Sequence, residues 1–260
     1  MTSPLFLAAG TVLDAPPEEQ IRAAAAAGFD GCGLRLDPAG TNAAMVARLA
    51  ATAEREGVQI FDLEVVRLTT AAPIDDQRRL VAIGADLGAR WVLTVSEVED
   101  LDDRHRGIVA LADVAQRNGV RIALEFMGFT AVDSLAEALR MWSLVGSSAG
   151  VLVDALHLHR TGGTAAQVAV MPPGALAYLQ LCDAAPGPAP DSPGALADEA
   201  RHHRRWPGDG VVDLTSLVAA VPAGTPVTVE VQNDDLTGRY DAAERARQGF
   251  VAATRFVSRP

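Results

Sequence analysis

Eight short apolar runs, each separated from the next by one strand-and-helix unit, constrain this chain more than any other feature. They fall at residues 5–9, 32–36, 59–63, 91–95, 122–124, 151–153, 177–181 and 227–231. Helix-period segments lie between them at 18–27, 43–56, 77–87, 104–118, 134–145 and 214–221. Gly28, Gly57, Gly88, Gly119 and Gly146 stand where these helices end, the place where a left-handed residue closes a last turn. After the first four, a strand resumes within a few residues, as in the short connections of a parallel sheet. Except for the last gap, strand starts recur at roughly 25–35 residues, the length of one βα unit. Eight such units in 260 residues predict the α/β class and a single (β/α)8 TIM barrel. A doubly wound open sheet competes, but it calls for a phosphate-binding glycine motif after the first strand. That strand instead runs into Ala9-Gly10-Thr11-Val12. Residues 1–260 are therefore read as one barrel domain, with a long loop at about 184–210 over the catalytic face.

Composition narrows the chemistry. All 22 basic residues are arginine, because the chain contains no lysine. That excludes Schiff-base chemistry, pyridoxal phosphate held on a lysine, and a Walker-type phosphate loop. With 33 acidic residues the formal net charge is −11, which argues against a nucleic-acid partner. Cys32 and Cys182 form no CxxC pair and read as buried thiols in a reducing compartment. The run at 5–9 is too short to cross a bilayer and no charged leader precedes it. The expectation is a cytoplasmic protein with no membrane partner, compatible with a homo-oligomer.

In a barrel, the chemistry stands at the C-terminal ends of the strands. Reading those ends yields Glu64 after strand three, Glu97 after four, Glu125 after five, Asp154 after six and Glu230 in eight. Gln180 falls within strand seven, with Asp183 just beyond it. Glu125, Asp154 and Glu230 interrupt otherwise apolar strands, and burying a carboxylate is costly unless it is paired or bound to a cation. Strands five to eight are consecutive around the wall, so the three can converge, and a divalent metal is their natural counter-charge. An arginine-paired structural role stays open for any one of them. His157, three positions after Asp154, is a candidate acid–base or substrate-binding group. Arg204 and Arg205, in the Arg/His cluster before Pro207-Gly208, suggest an anionic or polyhydroxylated substrate.

With these residues placed, the sequence resembles the xylose isomerase-like TIM-barrel superfamily of sugar phosphate isomerases and epimerases. The stretches that carry the resemblance are AAAAAGFDGCGLRL, Glu125, VDALHLHRTGG, YLQLCDA, RRWPGDGVVDL and VTVEVQN. It implies one metal held by Glu125, Asp154, Gln180 and Glu230, with His157 in the substrate or acid–base position. Most members carry histidine where Gln180 stands. An all-oxygen set favours Mg²⁺ or Mn²⁺, with Co²⁺ or Zn²⁺ as further candidates. Bacterial 3-dehydroshikimate dehydratases of the superfamily share the glutamine, an arginine in the place of Arg67, and an element like His202-His203-Arg204. Arg35 stands where many members have an acid. Endonuclease IV relatives need more histidines and a cationic groove, which five histidines and the net charge of −11 do not provide.

The expected function is a divalent-metal-dependent isomerase or epimerase that abstracts a proton α to a carbonyl. Its substrate would be a small sugar, cyclitol or keto acid. Glu125, His157 and Glu230 would be catalytic, and Arg67, Arg204 and Arg205 would bind substrate. The alternatives are a metal-dependent dehydratase (a lyase) of the 3-dehydroshikimate type and a non-catalytic binding protein on the same barrel.

Overall fold

The computed structural model describes residues 3–71 and 74–257. Among the described residues, eight parallel strands close into a barrel in sequence order. They are β1 Leu5–Leu7, β2 Gly31–Arg35, β3 Gln59–Leu68, β4 Trp91–Ser96, β5 Arg121–Glu125, β6 Ala149–Asp154, β7 Leu176–Leu181 and β8 Val227–Val229. Closure is made by β1, which pairs with β2 on one side and with β8 on the other. The surrounding helices are α1 Pro17–Ala27, α2 Ala43–Glu56, α3 Ile74–Asp86, α4 Leu101–Arg117, α5 Leu135–Val145, α6 Ala155–Arg160, α7 Ala165–Ala169, α8 Pro193–His202, α9 Leu214–Ala219, α10 Asp234–Arg239 and α11 Ala242–Ala253. None of the described helices is long and apolar enough to cross a membrane.

Alternation along each strand divides the apolar side chains between two cores. One set, including Leu7, Val92, Ile122, Val153 and Leu181, faces the helices and seals the layer between them and the barrel. The other, including Phe6, Phe61, Trp91, Leu152 and Tyr178, fills the barrel interior. There Phe6 stacks on Phe61 with ring centroids 4.0 Å apart. The Tyr178 hydroxyl donates to Asp62 Oδ2 at 2.6 Å, satisfying the phenol that the aromatic plug would otherwise strand.

Two expectations shift. The sequence reading ends the third strand at residue 63, but β3 runs on to Leu68 and pairs with β4 through Val66, Arg67 and Leu68. Glu64 and Arg67 therefore sit inside the strand, not beyond it. The segment expected as a loop at 184–210 carries a helix, α8, in its middle. Ser192 accepts from the Ala195 amide and Pro193 occupies the first turn. That cap-and-proline signature is a standard helix start, and the flanking Pro/Gly/Ala composition masks it. Arg160 on α6 clamps Glu199 on α8 through two hydrogen bonds, of 2.8 and 2.5 Å, and so holds α8 beside the barrel mouth.

Candidate active site

The apolar runs of β5 and β6 end on Glu125 and Asp154, and Glu230 follows β8 directly. Their carboxylates converge: one oxygen from each lies within 4.8 Å of the others, and all three residues are buried. Asp154 also caps α6, because its Oδ1 accepts from the His157 backbone amide at 2.9 Å. The Asp-x-x-His spacing thus has a local cause. The acid that ends the strand starts the next helix, and the first turn of that helix sets the histidine beside the acids.

Arg204 provides the charge compensation within the chain. Its guanidinium donates to Asp154 Oδ2 at 2.7 Å and lies 3.1 Å from Glu230 Oε2, and its side chain is 2% exposed. Nε is held by the Ala200 carbonyl at 2.7 Å. Nη2, the nitrogen beside Glu230, also lies 3.3 Å from His157 Nε2. A guanidinium only donates, so Nε2 accepts and the imidazole proton sits on Nδ1. Glu230 Oε1 accepts from Gln232 at 3.0 Å and has Arg35 at 3.7 Å; Arg35 itself pairs with Glu64 at 2.8 Å.

These partners split the pKa values of the acids. Burial pushes the Glu125 carboxyl well above the usual range, and the neighbouring Glu230 and Asp154 charges push it further. Burial also raises Glu230, against the pull of Arg204. At Asp154 burial acts the same way, but Arg204 and His157 outweigh it and hold the carboxyl below its ordinary value. Burial lowers His157 to about 4, so its ring is neutral at physiological pH.

The cluster fits a divalent cation. Glu125 Oε1 is buried with no hydrogen-bond partner among the described residues; His157 Nε2, 3.9 Å away, is itself an acceptor here and leaves the oxygen open to a cation. Gln180 stands between Asp154 and Glu230, but its amide nitrogen faces them, donating at 3.2 and 2.7 Å. Its Oε1 accepts from the Thr228 hydroxyl at 3.0 Å. A hydroxyl donates or accepts equally well, so Thr228 satisfies the amide in either orientation. A half-turn presents the oxygen to the acids.

The other expected residues separate. Arg67 lines the same cavity but pairs with Glu97 at 2.6 Å, both half exposed. Arg204, expected to bind substrate, lines the cavity and is buried against the acids. Arg205 is a correction: its guanidinium reaches the Asp209 carbonyl at 3.2 Å, away from the cavity, because its backbone pairs with Asp183. Asp183 stays out of the acidic cluster. Both its carboxylate oxygens accept loop amides, from Ala184, Val212 and Gly208 at 2.9–3.0 Å. Sequence reasoning missed Thr228, Gln232 and Arg201. Only the last carries a signal, as the first residue of the Arg/His cluster. A cavity of about 290 Å³ opens above the acids, lined by Glu125, Glu230 and His157 but not by Asp154.

Closed parallel strands with buried acids gathered at their C-terminal ends define a TIM barrel with a metal-competent acidic centre. The chain belongs to the xylose isomerase-like TIM barrel family, whose model matches residues 21–253. It is 28% identical to the inosose isomerase of Bacillus subtilis (strain 168) over 117 residues, 44% of this chain; the match spans 40% of that relative's length. Among solved structures, an IOLI protein with a bound zinc atom superposes with a TM-score of 0.83 at 18% identity, covering 98% of each chain. D-allulose 3-epimerase from Methylomonas sp., in complex with D-allulose, superposes at 0.74 with 18% identity, covering 98% of this chain and 97% of that one. At such identities the superpositions establish the shared barrel.

Proposed function

We propose that this chain is a divalent-metal-dependent isomerase or epimerase acting α to a carbonyl of a small sugar, cyclitol or related polyhydroxylated substrate. One observation carries the reading: three buried carboxylates converge within 4.8 Å while Glu125 Oε1 has no hydrogen-bond partner among the described residues. Glu125, Asp154 and Glu230, with the Gln180 amide oxygen after its half-turn, would hold the ion. Mg²⁺ or Mn²⁺ suits an all-oxygen set, although the zinc in the IOLI structure keeps Zn²⁺ a candidate. When bound, the ion supplies Lewis-acid stabilisation of negative charge on the substrate oxygen.

The rest of the chemistry falls to the chain. Glu125 and Glu230 are the two acids of the cluster that line the cavity, so they are the groups placed to take a proton from the substrate carbon and to return one. His157, neutral and with Nδ1 protonated, orients substrate hydroxyls. Arg204 fixes Asp154 and Glu230, and α8 shields the cavity from water. The sugar and cyclitol relatives support the substrate class.

The test is a screen of ketoses, inososes and 3-dehydroshikimate with Mn²⁺ or Mg²⁺, following proton exchange with solvent deuterium by NMR. Exchange with interconversion of a ketose or inosose supports the reading. Ultraviolet absorbance of an aromatic product from 3-dehydroshikimate would replace it with the dehydratase. Tight binding with no exchange on any compound would replace it with a binding protein.

A further inference from the structure

Four arginines line the cavity: Arg35, Arg67, Arg201 and Arg204. Three already have acids. Arg35 is on Glu64 at 2.8 Å, Arg67 is on Glu97 at 2.6 Å, and Arg204 lies between Asp154 and Glu230. Arg201 differs. Among the described residues no carboxylate pairs with it, and its recorded neighbour is an aromatic face, the Phe129 ring, 5.8 Å from its guanidinium carbon. Phe129 in turn stands edge-on to His157 at 5.6 Å, so one ring links this exposed arginine to the site. The next residue on α8, His202, is spent on Asp234 at 3.1 Å.

Charge accounting then points to the ligand. The three clustered acids are balanced by Arg204 and a divalent ion, and the Arg35 and Arg67 pairs are neutral. One positive charge is left facing the cavity of a protein whose net charge is −11. A cation held on a ring face beside a half-enclosed cavity interacts most strongly with an anion that enters from it. We propose that the substrate carries an anionic group, a carboxylate or a phosphate, and that Arg201 receives it. This rests on the cavity being the site of a small polyhydroxylated carbonyl compound, and adds the charge of that compound. Arg201 acts as a specificity-determining residue: it touches the substrate's anionic end and leaves the reacting carbons to the acids below.

Two sets of probes test this by isothermal titration with Mn²⁺ present, without relying on turnover. The first is D-fructose, D-fructuronate and D-fructose 6-phosphate, which differ only at carbon six. The second is myo-inositol against quinate, which tests a ring-shaped ligand. In at least one set an anionic member should bind about tenfold or more tightly than the neutral one, as a charge-assisted contact implies. Whichever of the carboxylate or phosphate arms shows the gain identifies the group. Arg201→Gln should erase the preference while leaving the affinity of the neutral member unchanged, and Arg201→Lys should keep part of it. Equal binding within both sets, a preference that survives in Arg201→Gln, or no binding by any probe would overturn the proposal. An absence of proton exchange alongside an intact preference would instead count against the isomerase reading alone.

Discussion

Replacing Arg204 by methionine removes the one guanidinium that spans Asp154 and Glu230, while keeping most of the volume of a side chain that is 2% exposed. Breaking a buried ion pair from one side costs about 3–5 kcal/mol, because the remaining charge is left uncompensated. The lower end applies here. Glu230 retains Gln180 and Gln232 as donors, and Asp154 retains the His157 amide and Gln180. At roughly 2–4 °C per kcal/mol for a chain of this size, a loss of about 3 kcal/mol lowers Tm by about 6–12 °C. The deficit should depend on metal and on pH. A divalent ion takes over much of the compensation, so saturating Mn²⁺ should raise the Tm of Arg204→Met more than that of the wild type. Asp154 is depressed in the folded protein, so its contribution is present above its unfolded value near 4 and is lost as pH falls through the lower folded value. The gap between wild type and variant is therefore full at pH 7 and closes in acid. Thermal unfolding followed by circular dichroism, with chelator and with Mn²⁺ at several pH values, measures all three. A metal-free variant within about 2 °C of the wild type, or a deficit unchanged by metal, would refute the reasoning.

Three further outcomes follow from the same geometry. Gln180→His should still bind metal but shift preference toward Zn²⁺ or Co²⁺, seen by competitive titration; an unchanged profile would remove Gln180 from the ligand set. Because the Glu125 carboxyl is held well above its ordinary value, metal binding near neutral pH should release protons and weaken as pH falls. Calorimetry in buffers of different ionisation enthalpy reads that release, and Glu125→Gln should abolish it. Gly10→Ala would place a methyl against Glu230 Oε1 and the Gln232 amide, a carboxylate pinned by four neighbours. Turnover on a substrate found by screening should fall at least tenfold while the far-ultraviolet spectrum is unchanged.

The barrel was legible because its cause is local. Eight apolar runs alternate with helix stretches of period 3.6, five of them closed by glycine, so most units repeat the same message. Strand ends were less so. Glu64 and Arg67 break the apolar run at 63, yet the pairing of Val66 and Leu68 with β4 carries the strand past them. The acids of the site could be read because a carboxylate ending an apolar strand stands out. What the sequence could not convey is which cation answers which anion. Arg204 and Arg205 are adjacent, and their backbone ties to Gln232 and Asn233 on one side and Asp183 on the other turn one inward and the other out. The orientation of the Gln180 amide is likewise set by Asp154 and Glu230, 26 and 50 positions away in the chain.

The central claim is that Glu125, Asp154 and Glu230 form a metal centre, and metal content tests it most directly. The protein would be loaded with Mn²⁺, dialysed, and analysed by mass spectrometry of the metal alongside Glu125→Gln and Glu230→Gln, with folding of each checked by circular dichroism. The account predicts one ion per wild-type chain and almost none in either folded variant. Full occupancy in both variants, or a folded wild type that retains no divalent metal, would contradict it.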